Sequence, residues 1–185
     1  MNKVKLITTG FDDLFIIETS KIGDSRGYFS ETYNYRDLKS LGVDIYFVQD
    51  NQSRSMRGVL RGLHYQNAPH AQTKMVRVLS GAILDVVVDL RKNKNTFGKS
   101  FQLEMSSTNG QQILVPKGFA HGFVVLSESA EILYKTDEYH YPSFEGGIIF
   151  NDLDLKIDWK IPETEMIISE RDKTHPKLRD ANFNF

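Results

Sequence analysis

"GQQILVPKGFAHGF", residues 110–123, sets two short apolar runs on either side of Pro116 and Gly118 and carries a histidine at 121. Apolar runs this short, stopped by proline and glycine, read as strands joined by tight turns. The spacing is Gly110, five residues, Pro116, one residue, Gly118, two residues, His121. The same texture continues in both directions. "FIIETSKI", "YFSETYN", "VDIYFVQD", "KMVRVLSGAILDVVVDL", "SFQLEMSS", "HGFVVLS", "EILYKTDEYHY" and "GGIIFND" are short β-branched and aromatic runs broken by Gly, Asn, Asp and Pro. In "SFQLEM", Phe101, Leu103 and Met105 alternate with Gln102 and Glu104, the period of a half-buried strand. Ser80 and Gly81, between two apolar runs, predict a tight hairpin. Only "NYRDLKSLG" reads as helix, with Asn34 as N-cap, Leu38 and Leu41 on one face and Gly42 as the stop. So many short strands, with no repeat or linker, predict an all-β sandwich or barrel of jelly-roll type in one domain over residues 1–185.

Composition narrows the function. The 185 residues, 40% of them hydrophobic, suffice to bury a core without covalent staples, and with no cysteine neither disulfide nor thiolate chemistry is available. A net charge of −1, with both signs scattered, excludes the concentrated basic face that nucleic acid requires. The start, "MNKVKLITTGFDDLFIIETS", has no long uncharged apolar core, and no later run approaches membrane-spanning length, so a cytoplasmic location is expected. An anionic ligand must be met by a few placed cations.

The 110–123 spacing resembles the second of the two motifs of cupin barrels, which implies a double-stranded β-helix with a few short peripheral helices. In metal-binding cupins the first motif supplies two histidines and a glutamate. Here the comparable stretch is "GLHYQNAPHAQ", with Gln66 where a second ligand would stand and no glutamate nearby. His64 and His121 alone make a poor metal site, since a catalytic ion usually takes three protein ligands, so no metal is expected. A histidine freed from metal in a barrel mouth is instead a candidate general base, because imidazole titrates near working pH.

"DSRGYFSETYN", "FVQDNQSRS", "GVLRGLHYQ", "QTKMVRVLSGAILDVVVDLR", "VPKGFAHGF", "LYKTDEY", "EGGI" and "ISERD" occur in the order and spacing of the dTDP-4-dehydrorhamnose 3,5-epimerase family, which the chain resembles over nearly its whole length. The resemblance implies inversion at C3 and C5 of a dTDP-linked 4-keto-6-deoxy sugar, with no redox cofactor. The carbons flanking a ketone have acidic hydrogens, so inversion needs a base on one face and an acid on the other. His64 matches the family's base and Asp172 its carboxylate partner; Asp85, inside "ILDVVVDL", is a rival partner that sequence does not rank below Asp172. Lys74 matches the cation that stabilises the enolate, and Tyr134 the acid that returns the proton. Arg61 and His121 match residues lining the same pocket.

By the same resemblance, Arg26, Glu31, Gln49, Asp50, Asn51, Glu145 and Arg171 belong to the nucleotide end, where arginine forks suit diphosphate oxygens. The family's N-terminal segment reaches across to a second subunit, so a homodimer is implied in which Arg26 and Glu31 complete the other chain's site. His140 departs from the pattern: it stands where many members place an aromatic ring on the thymine, with Tyr139 and Tyr141 beside it as substitutes. An epimerase acting at C3 alone, or on another nucleotide-linked 4-keto-6-deoxy sugar, shares most of these residues. Outside that class stand a metal-dependent cupin oxygenase and a non-catalytic sugar-binding cupin, the latter disfavoured because base, acid and cation positions are all filled.

Overall fold

A computed structural model describes residues 3–185. Its strands are β1 (Val4–Thr8), β2 (Phe15–Thr19), β3 (Ile22–Asp24), β4 (Gly27–Phe29), β5 (Gln49–Met56), β6 (Val59–Gln66) and β7 (Lys74–Ser80). They continue as β8 (Ala82–Asp89), β9 (Ser100–Ser106), β10 (Gln112–Val115), β11 (Phe119–Val125), β12 (Ser129–Thr136), β13 (Glu145–Gly147) and β14 (Ile167–Ile168). Two short helices are α1 (Tyr35–Ser40) and α2 (Glu170–Lys173). One sheet has the order β1-β2-β10-β7-β12-β5, and the other β13-β6-β11-β8-β9, with β14 parallel to β6. Two facing antiparallel sheets of this kind make the jelly roll of the cupin class.

Three clusters fill the space. Val76, Val78, Ile132, Ile83, Val87 and Phe123 form the core between the sheets. The outer face of the second sheet is covered by the chain from Ile148 onward, through Ile148, Phe150, Leu155, Trp159 and Phe183. Strand β8 is therefore buried on both faces, which is why "ILDVVVD" is apolar on both faces except at Asp85 and Asp89 instead of alternating. On the outer face of the first sheet, Leu38 of α1 packs with Val4, Ile17, Val43, Met75 and Leu114.

The helix starts as expected, with Asn34 Oδ1 accepting from the Arg36 and Asp37 amides at 3.0 and 3.4 Å, and it stops at Gly42, whose φ is +91°. Its apolar face is narrower than expected: Leu38 is buried, whereas Leu41 faces solvent. The Ser80–Gly81 hairpin does not form. Gly81, at φ +78°, turns the chain out of β7 in one sheet into β8 in the other, because both flanking runs are needed as central strands of different sheets. "VDIYFV" stays outside the ladders, and the strand that follows it, β5, carries the polar sequence "QDNQSRSM". As an edge strand β5 has one paired side, against β12, and one wet face, so little apolar pattern is required of it.

Candidate active site

A cavity of about 530 Å³ opens between the two sheets. Arg61 and His64 of β6 and His121 of β11 line it from the second sheet; Ser53 of β5, Lys74 of β7 and Tyr134 of β12 line it from the first. His64 and His121 are cross-strand partners, which places two imidazoles side by side. The β6–β11 approach at this point requires glycine: a Cβ on Gly62, whose φ is +127°, would lie 2.5 Å from the Gly122 Cα.

Asp172 reaches His64 across 108 residues of sequence by local means. Ile167 and Ile168 pair in parallel with Val59 and Leu60, laying the segment along β6. Ser169 then caps α2, its hydroxyl accepting from the Asp172 amide at 3.1 Å in the S-x-x-D pattern of a capping box. The Asp172 carboxylate, instead of turning back to the cap, accepts from His64 Nε2 at 2.8 Å and from the Gly62 amide at 3.3 Å. Burial raises the pKa of this acid, but the His64 hydrogen bond and charge outweigh it and hold the carboxyl below its ordinary range. An ionised carboxylate only accepts, so Nε2 carries the His64 proton and Nδ1 keeps the lone pair of a base. Asp85, the rival partner, is engaged elsewhere: its Oδ2 lies 2.8 Å from His121 Nε2.

Facing this pair, burial of the Lys74 ammonium, partly opposed by the negative charges of Glu145 and Asp85, brings its pKa down to about 8. The lysine retains some surface, on the side of the cavity it lines. Burial raises the Tyr134 phenol above its usual value, keeping it a proton donor at neutral pH. The arrangement offers a base on one wall, a phenol and a cation on the other, and a gap large enough for a sugar ring.

The remaining expected residues are spread unevenly. Arg171 also lines the cavity, and its guanidinium binds the Glu145 carboxylate at 2.8 Å, with His140 Nε2 at 3.3 Å from the same acid. Gln49 and Asn51 are hydrogen-bonded to each other at 2.9 Å and lie on the same face of β5 as Ser53, with Asn51 opposite Tyr134. Asp50 points the other way and is held by Lys135 at 2.8 Å, so the strand period removes it from that face. Arg26 pairs with Asp24 in the exposed β3–β4 ribbon, and Glu31 with Lys3 at 3.3 Å; neither lines the cavity of its own chain. Of the two tyrosines beside His140, Tyr141 is stacked on His70 with ring centroids 3.7 Å apart, whereas Tyr139 is 56% exposed. Gln66 is a structural amide: its Nε2 donates to the His70 and Tyr139 carbonyls and its Oε1 accepts from the Tyr141 amide, pinning that aromatic loop.

Sequence reasoning missed His175. It follows Asp172 by three residues, just past the end of α2, and its Nε2 lies 3.5 Å from Asp172 Oδ1 behind the cavity wall.

The family model described as dTDP-4-dehydrorhamnose 3,5-epimerase matches residues 8–180. The chain belongs to this family. It is an epimerase, hence an isomerase acting on carbohydrate. It is similar to the dTDP-4-dehydrorhamnose 3,5-epimerase of Pseudomonas aeruginosa, at 46% identity over 97% of this chain and 98% of the other. Among solved structures, the dTDP-4-dehydrorhamnose 3,5-epimerase of Elizabethkingia anophelis superposes with a TM-score of 0.93 at 51% identity, covering 96% of this chain and 98% of that one. The dTDP-6-deoxy-D-glucose-3,5-epimerase of Legionella pneumophila, in complex with dTDP-4-keto-L-rhamnose, gives a TM-score of 0.91 at 43% identity, covering 96% of this chain and 94% of that one. The cupin architecture expected of this epimerase is thereby established.

Proposed function

We propose that this epimerase inverts both C3 and C5 of dTDP-4-dehydro-6-deoxy-D-glucose to give dTDP-4-dehydro-L-rhamnose, using side chains alone. The observation that carries the reading is the division of labour between sheets: the His64–Asp172 pair on one wall of the cavity, Tyr134 and Lys74 on the other. His64 Nδ1 takes the α-proton, and Asp172 stabilises the resulting imidazolium while holding its tautomer. Negative charge then develops on the ketone oxygen, where the Lys74 ammonium stabilises the enolate. The Tyr134 hydroxyl returns a proton from the opposite face, which inverts the centre. No redox change occurs, because the ketone persists and only C–H bonds are broken and remade. His64 then gives its proton to solvent and the Tyr134 phenolate takes one back, so that two rounds, one at each carbon flanking the ketone, complete the conversion.

Arg171 and Glu145, with Gln49 and Asn51, bind the nucleotide end, and the open Tyr139 ring supplies the stacking surface that His140 lacks in area. The enzyme works as a homodimer in which the β3–β4 ribbon crosses to the partner. Ile22, Tyr28 and Phe29 of that ribbon are 69%, 60% and 68% exposed, an apolar surface that a second subunit would cover, while Arg26 and Glu31 would enter the partner's site. A cytoplasmic place in making sugars for cell-surface polysaccharide follows from a nucleotide-linked substrate. Among the described residues no helix is long and apolar enough to cross a membrane. The test is incubation with dTDP-4-dehydro-6-deoxy-D-glucose in heavy water, following deuterium at C3 and C5 by NMR. Deuterium with inversion at both carbons is expected; label confined to C3, or faster turnover of a different nucleotide sugar, refutes the assignment.

A further inference from the structure

We propose that His64, Asp172 and His175 form a binding site for a divalent transition-metal ion, zinc above all, and that the ion switches the enzyme off. One ligand atom from each of the three residues lies within 4.8 Å of the others. Asp172 Oδ1 is 2.8 Å from His64 Nε2 and 3.5 Å from His175 Nε2. Tetrahedral zinc with nitrogen and oxygen ligands at roughly 2.0–2.2 Å places those ligands about 3.3 Å apart. The two distances to Asp172 bracket that spacing, and no pair of the three atoms exceeds it by more than about 1.5 Å, the adjustment that binding would require.

A second observation points to a ligand here. His175 Nε2 is buried and, among the described residues, has no hydrogen-bond partner, its contact with Asp172 Oδ1 at 3.5 Å not meeting hydrogen-bond geometry, a costly state for an imidazole nitrogen. The fold makes room for this ring: a Cβ on Gly147, the cross-strand partner of His64, would lie 2.4 Å from His175 atoms. Two imidazoles and a carboxylate are a donor set that suits zinc and leaves a fourth position open.

The ion inactivates by moving one proton. In the metal-free pair the His64 proton sits on Nε2, facing Asp172, and Nδ1 holds the lone pair. Zinc on Nε2 displaces that proton, and the ring, staying neutral, carries it on Nδ1. No proton is lost to solvent, yet the basic atom is now occupied. Asp172, donating to zinc, no longer stabilises an imidazolium. The nucleotide end is untouched, so substrate still binds while proton transfer stops. The inhibition rests on the epimerase mechanism above; the binding does not.

Chelator-stripped full-length protein is titrated with zinc chloride by calorimetry and with cobalt chloride by visible absorption, alongside His175→Gln and His175→Ala. One ion per chain, cobalt bands of a four-coordinate nitrogen–oxygen site, and a loss of affinity in both variants beyond the roughly 10- to 100-fold typical of an outer-shell change support the site. In the solvent-exchange assay zinc should lower kcat with KM little changed, chelator should restore it, and both variants should turn over but resist zinc. Absence of stoichiometric binding, equal binding by both variants, or zinc that leaves exchange unchanged or speeds it overturns the proposal. Were the chain to invert no keto sugar, calorimetry and the cobalt spectrum would still decide the metal site.

Discussion

Replacing Lys74 with methionine should make the protein more stable and much less active. Methionine keeps the unbranched stem and deletes the charge. In the fold the lysine pKa falls from 10.5 to about 8, chiefly through burial. At about 1.4 kcal/mol per unit, the charged form is disfavoured by roughly 3 to 4 kcal/mol relative to the unfolded chain, which sets the upper limit of the gain. The sign follows from linkage. Below pH 8 the lysine is charged in both states and the folded state carries the full cost; between about 8 and 10.5 the folded lysine is already neutral while the unfolded one still holds its proton. The stability difference between variant and wild type should therefore be largest near pH 7 and shrink as pH rises across that window. Urea unfolding at fixed protein concentration, at pH 7 and pH 10, measures it. Solvent exchange at C3 should drop on the order of 10²-fold or more, as when a preorganised enolate stabiliser is lost. In the wild type, exchange should also decline as pH passes about 8 and the ammonium is deprotonated. A methionine variant less stable than wild type at pH 7, or one that exchanges at the wild-type rate, refutes the reasoning.

His64→Asn should keep the fold and nucleotide binding, as judged by circular dichroism and dTDP titration, while turnover falls by roughly 10²- to 10⁴-fold, the worth of a positioned base. Unchanged exchange at C3 would assign the base elsewhere. Tyr134→Phe retains the ring and its packing but no donor, so in heavy water deuterium should enter unreacted sugar while inversion falls on the order of 10²-fold. Inversion at the wild-type rate would move the acid to water or to Tyr139. Chelator treatment should leave turnover undiminished, since no step in the proposed reaction uses an ion; activity lost to chelator and restored by one metal would replace the mechanism with a metal-assisted one.

Local signals in the sequence settle local structure. Asn34 caps a helix and Gly42 ends it because both act within one turn of backbone, and the Phe101, Leu103, Met105 alternation needs only the two-residue period of a strand. The glycine–proline–glycine–histidine spacing of residues 110–121, together with the motif order, was enough to name a cupin and an epimerase family. What depends on which faces come together was not legible. The turn at Gly81 looks the same whether the chain folds back in one sheet or crosses to another; the apolar surface buried on both sides of β8 decides for the crossing. The polar strand β5 has no pattern to betray it, because an edge strand is held by backbone hydrogen bonds to β12 that are blind to side chains. By residue type alone Asp85 and Asp172 are equally plausible partners for His64, and it took the family resemblance to favour Asp172. The physical reason lies in the packing of β14 along β6, which carries Asp172 to His64 while the β8–β11 ladder delivers Asp85 to His121, and the same packing brings His175 against the pair.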